Sequence, residues 1–172
     1  MKRKLFIIVA IFVVLSITPM FSQESAAAIL GKAIEKAKIE NKNVFIMFHA
    51  SWCGWCKKMD LNMKNKACNT FFDKNYVVEH LVVNEATDKK HLENPGAEAL
   101  LTKYNGENSG IPFWLIFDKN GNFLTDSFDS KGQNLGCPAT KEEVSVFIKK
   151  LRETSSLTQK ELDIISAVFE GV

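Results

Sequence analysis

The chain predicts an α/β domain: a central mixed sheet with helices on both faces. Three observations carry this. Ala26, Ile29, Leu30, Ala33, Ile34 and Ala37 recur at helical spacing. Residues 44–48, Val-Phe-Ile-Met-Phe, form a short continuous apolar run, the pattern of a strand buried on both faces. Asp118-Lys119-Asn120-Gly121 lies between two strand-like stretches and signals a hairpin, so the last strand returns antiparallel and the sheet has a mixed edge.

The first helix spans residues 25–40, and Asn41-Lys42-Asn43 breaks it before the 44–48 strand. Cys53-Gly54-Trp55-Cys56 then opens a helix, interrupted at Asn62 and Asn65 and resumed over 68–74. A strand follows at 76–83. Pro95-Gly96 introduces a helix over 97–104, and 105–110 is a polar loop. Pro112 precedes the strand 113–117, and the hairpin leads into a strand at 122–128. Thr140 with Glu143, and Thr158 with Glu161, have the spacing of capping boxes. The first box starts a helix with Val144, Phe147, Ile148 and Leu151 on one face. The second starts a terminal helix that reaches about Phe169 and stops at Gly171. Its apolar face of Leu162, Ile165 and Phe169 is expected to pack on the domain.

The 172 residues are 46% hydrophobic and 24% charged, which suits one globular domain. Lys2, Arg3 and Lys4 precede an apolar run from Leu5 to Ile17, then a polar exit at Ser22-Gln23. This reads as a secretory signal over residues 1–22, with cleavage near Ser22. The run is shorter than the roughly 20 residues of a membrane span. An uncleaved N-terminal anchor is the alternative. The core domain then covers 23–152, and 153–172 is a helical extension. Without the three N-terminal basic residues, 19 basic residues face 20 acidic ones, a formal charge of −1. No basic stripe points to nucleic acid. Export, with a periplasm as the expected compartment, puts all four cysteines where disulfides persist.

Cys53 and Cys56 admit several chemistries. Structural zinc needs four ligands, but there is no second C-x-x-C, and His49, His80 and His91 are scattered. No metal site is therefore expected. Cu(I) transfer by two thiolates stays open. A structural staple across two residues closes a tiny loop and constrains the unfolded chain little. A redox pair has the clearest mechanism. A cysteine at a helix N-terminus, near Lys57, is favoured as thiolate, and the second cysteine resolves a mixed disulfide one turn further on.

Strand, Trp52-Cys53-Gly54-Trp55-Cys56-Lys57, Gly110-Ile111-Pro112 and the 117–121 hairpin occur in that order. On these motifs the chain resembles the thioredoxin superfamily, especially exported thioredoxin-like proteins with a W-C-G-x-C-K site, over about residues 26–151. The resemblance implies a thioredoxin fold with an extra C-terminal helix. It also implies a thiol-disulfide oxidoreductase that needs no cofactor beyond a redox-active Cys53–Cys56 disulfide. Cys53 would be the exposed nucleophile and Cys56 the buried resolving thiol. Pro112 would be cis, with Ile111 offering its backbone to substrate; Trp52, Gly54, Trp55, Ile111 and Pro112 would bind substrate. The implied partners are protein thiols and disulfides with an upstream electron donor or acceptor, the protein acting as a monomer without stable membrane insertion. The rival is a binding module whose cysteine pair is idle.

The chain departs from thioredoxins proper in three places. Met47 stands where they carry a buried Asp, His49 where a Trp is usual, and Trp55 where strongly reducing members have Pro. Direction of electron flow is thus left open. His49, Lys57 and Cys137 are candidate modulators. Cys68 lies on the order of 15 Å along the helical arm from Cys56, while the resemblance puts Cys137 beside the proline loop. Their Cα atoms would lie beyond the ~7 Å a disulfide spans, so no Cys68–Cys137 bond is expected. Cys137 reads either as a third thiol near the substrate groove or as a residue packed under Pro138. Asp126 and Asp129 read as solvated loop carboxylates.

Overall fold

A computed structural model describes residues 23–171. The expected signal segment lies outside the described residues. Helix α1 (Ala26–Glu40) starts where the Ser25 hydroxyl accepts from the Ala28 N–H at 3.2 Å. It stops at Asn41, which is left-handed with φ 54°. Then follow β1 (Asn43–His49), α2 (Gly54–Met63), α3 (Asn69–Asn75) and β2 (Tyr76–Val82). A 3-10 segment (Thr87–Leu92) that the sequence did not signal leads to α4 (Ala97–Lys103), β3 (Phe113–Phe117) and β4 (Phe123–Asp126). The chain finishes with α5 (Lys141–Glu153) and α6 (Gln159–Glu170).

The sheet has the order β2-β1-β3-β4. Strand β1 runs parallel to β2 and antiparallel to β3, so the mixture reaches the middle of the sheet rather than its edge alone. Residues 44–48 are all buried, as the unbroken apolar run predicts. Their side chains alternate between faces. Val44, Ile46 and Phe48 pack against Ala33 and Ala37 of α1 and Leu101 of α4. Phe45 and Met47 join Met59 of α2, Phe72 of α3, Phe147 of α5 and Phe169 of α6. Alanines on α1 let that helix approach the sheet closely.

Both capping boxes are formed, at Thr140 and Thr158. Helix α6 packs through Leu162, Ile165 and Phe169, all buried. Strand β4 is shorter than expected. The Asp126 carboxylate accepts the Phe128 N–H at 3.0 Å, and Asp129 accepts from Lys131 and Gln133 at 2.8 Å each. These carboxylates turn the chain, and Asp126 also lies 3.8 Å from Lys150. They are turn formers rather than merely solvated groups.

Candidate active site

Strand β1 delivers the chain to a tight turn at its C-terminal end. The Cys53 N–H donates to Ala50 O at 3.1 Å. The Glu85 carboxylate, just past β2, accepts the Ser51 N–H at 2.5 Å and the Ser51 hydroxyl at 2.8 Å. The Trp52 indole N–H donates to Asn84 O at 2.8 Å. Two segments 34 residues apart are thus tied together behind the cysteine pair.

Cys53 is the N-cap of α2, and its Sγ accepts the Cys56 N–H at 3.1 Å. The two cysteines form a disulfide with Cα atoms 5.3 Å apart. Cys53 was expected to be partly exposed, with Cys56 more buried. In this oxidised state they are 3% and 2% exposed. The reason is local cover: Ala50 and Ile111 pack on both, and Ile111 O lies 3.6 Å from Cys53 Sγ. Trp52 precedes Cys53 and Trp55 lies between the two cysteines, and each tryptophan is 58% exposed. Gly54 is exposed, with open space where a Cβ would stand.

The Ile111–Pro112 peptide bond is cis. Beside it runs a groove of about 420 Å³, lined by Trp55, Ile111, Pro112, Leu135, Cys137 and Glu143 among others. Cys137 is 7% exposed and belongs to the same core cluster as Trp114 and Phe147. Burial pushes its thiol up to about 11, against the opposing charge of Lys58. Cys68 donates to Asn62 O at 3.3 Å, and burial raises it to about 11 as well. Neither is disulfide-bonded. At pH 8 only about one such thiol in a thousand is ionised. Iodoacetamide at that pH should therefore leave Cys68 and Cys137 unmodified in the native protein; rapid labelling of Cys137, read by peptide mass mapping, would contradict its burial.

His49 is half-buried, with its ring edge-on to His80 at 5.3 Å between centroids. Burial, then the neighbouring His80, lowers its proton affinity. His80 itself engages Asp60 of α2, Nε2 to Oδ1 at 2.9 Å. Met47 is fully buried and brings no carboxylate behind the cysteines. Lys57 is exposed. Among the described residues, no group of three or more His, Cys, Asp or Glu side chains is placed to hold a metal ion, and no helix is long and apolar enough to cross a membrane.

Two residues that sequence reasoning missed shape this site. One is Glu85, only 4% exposed. Hydrogen bonding from the Ser51 N–H, working against burial, holds its carboxyl below the usual range. A depressed folded-state pKa stabilises the fold above the unfolded value of about 4.3 and stops doing so as pH falls through the folded value. Glu85→Gln should therefore melt lower than the parent at pH 7, with the gap closing in acid below pH 4. A gap that persists unchanged at pH 3 would show that the charge is irrelevant. The other missed residue is Asn134, whose side chain contacts the proline loop. Neither has a motif spacing that announces it, because each acts on a segment remote in sequence.

No curated protein matches the chain. Among solved structures, the chain is similar to a disulphide isomerase from Xylella fastidiosa Temecula1, at 21% identity over 63% of this chain and 77% of that one, TM-score 0.49. It is similar to the DsbH oxidoreductase at 21% identity over 80% and 92%, TM-score 0.46. A thioredoxin from Thermus thermophilus aligns at 19% identity over 77% and 86%, TM-score 0.46. The profile described as thioredoxin-like matches residues 26–119, which is more than half of the chain and includes the cysteine pair and the cis-proline. The chain belongs to the thioredoxin-like family.

Proposed function

We propose that the protein is an exported thiol-disulfide oxidoreductase acting on protein thiols and disulfides, with a periplasm as its compartment. The observation that carries this reading is the Cys53–Cys56 disulfide at the N-terminus of α2, with exposed tryptophans at positions 52 and 55. In the reducing direction the Cys53 thiolate attacks one sulfur of a substrate disulfide. The other substrate sulfur leaves as a thiolate and takes a proton. The Cys56 thiolate then attacks Cys53 Sγ, displacing the second substrate sulfur and restoring the Cys53–Cys56 bond. Two electrons and two protons have passed to the substrate, and an upstream dithiol donor reduces the pair again. The oxidising direction is the reverse.

The Cys56 N–H at 3.1 Å stabilises negative charge on Cys53 Sγ, and the N-terminal end of α2 acts in the same sense. The Ile111 carbonyl at 3.6 Å opposes it. Trp52, Trp55, Ile111 and Pro112 offer the apolar surface on which a substrate chain docks, and Gly54 leaves access over the first turn of α2. The test is catalysis of insulin disulfide reduction by dithiothreitol. Acceleration is expected; its absence in a folded protein whose pair is reducible would favour a binding module with an idle pair.

A further inference from the structure

The loop carrying Ile111 and Pro112 is held by one side chain. Asn134 Nδ2 donates to Ser109 O at 3.0 Å, Gly110 O at 3.2 Å and Pro112 O at 3.1 Å. Its Oδ1 accepts the Gly136 N–H at 3.0 Å. These partners fix the amide's orientation, because only the NH2 end can face three carbonyls. Two hydrogens serve three acceptors, so one hydrogen is shared. Of the four carbonyls from residue 109 to 112, Asn134 holds three. The fourth, Ile111 O, faces Cys53 Sγ at 3.6 Å.

Asn134 stands on a rigid base. It bridges to Phe128, and the adjacent Leu135 N–H donates to Ser127 O at 2.8 Å. The buried Trp114 indole donates to Gly136 O at 3.0 Å. Gly136 has φ 57° and passes close to the proline loop, where an added Cβ would lie 3.7 Å from Pro112 O. The opposing loop, by contrast, follows the polar stretch 105–110 and reaches the sheet only at Phe113. Both segments line the groove, together with Trp55.

We propose that Asn134 is a positioning residue. It locks the 109–112 loop so that Ile111 O is the carbonyl set beside Cys53, and so that the groove keeps its width for a polypeptide strand. This rests on the oxidoreductase reading, and its test separates the two. Asn134→Ala removes all four hydrogen bonds. Asn134→Asp keeps the volume and the acceptor for Gly136 but loses the donors, and it replaces the alanine variant if that one does not fold. With insulin as substrate, KM should rise about ten-fold while kcat changes by less than about three-fold, since the bonds lost hold the binding surface and not the reacting sulfurs. Peptide-resolved hydrogen exchange should accelerate over residues 109–112 and stay near the parent's rate in β1 and β3. An unchanged KM in a folded variant, or unchanged exchange over 109–112, would overturn the proposal. A parent protein inactive on insulin would overturn the oxidoreductase reading instead, and the exchange comparison would still decide the role of Asn134.

Discussion

Cys56→Ser is expected to accumulate mixed disulfides with client polypeptides, and Cys53→Ser to lose insulin turnover by about a thousand-fold or more. The asymmetry follows from position. Cys53 is the N-cap residue, so its Sγ lies where the unpaired N–H groups of α2 converge. The Cys56 N–H already points at it. Cys53 Sγ also lies 3.6 Å from Ile111 O of the proline loop, whereas Cys56 sits one turn further into the helix. An attack by Cys53 therefore joins the client to the sulfur at the N-cap. Without the Cys56 thiol that bond has no intramolecular means of release. Non-reducing electrophoresis and mass spectrometry of the purified variants would show the adducts. Trapping by Cys53→Ser, with none by Cys56→Ser, would reverse the assignment of the two roles.

Phe169→Ala should destabilise the protein by about 3–5 kcal/mol, the usual cost of emptying a buried aromatic site. Phe169 is 2% exposed, and its ring meets Phe72 at 6.4 Å and Phe147 at 5.0 Å between centroids. It bridges α3 and α5, so its loss leaves a cavity between helices that β1 and β3 also pack against. Phe147 in turn stacks edge-on to Trp114 at 5.4 Å, which links α6 to the sheet. Removing α6 altogether would expose Leu162 and Ile165 besides. Denaturant unfolding measures the loss. The folded fraction of Phe169→Ala should keep its thiol chemistry, because the cavity lies away from the Ala50, Cys53 and Cys56 cluster. Lost activity at unchanged stability would instead give α6 a functional role.

Much of this architecture is legible in the chain because it rests on local signals. A strand buried on both faces needs apolar residues at every position from 44 to 48, and they are there. Each capping box is decided by residues three apart, and both formed. The cysteine pair at the start of a helix is likewise local. Long-range contacts were not legible. Asn134 reaches carbonyls 22 to 25 residues away, and Glu85 caps a turn 34 residues earlier. Neither contact leaves a period or a spacing in the sequence. The cover over Cys53 is equally remote: the resemblance implies an exposed nucleophile, but Ile111, 58 residues on, packs against it. Strand β4 ends at Asp126, short of the patterned stretch 122–128, and apolar patterning does not show that the Asp126 carboxylate takes the Phe128 N–H.

The most direct test is the reduction potential of the Cys53–Cys56 couple, measured by equilibration with glutathione and thiol trapping. An exchanging pair at a helix N-terminus should titrate reversibly as a two-electron couple between about −270 and −120 mV, the range of redox-active pairs. A value toward the lower end marks a reductant and one toward the upper end an oxidant. A disulfide that stays closed below about −300 mV would be a structural staple and would contradict the account.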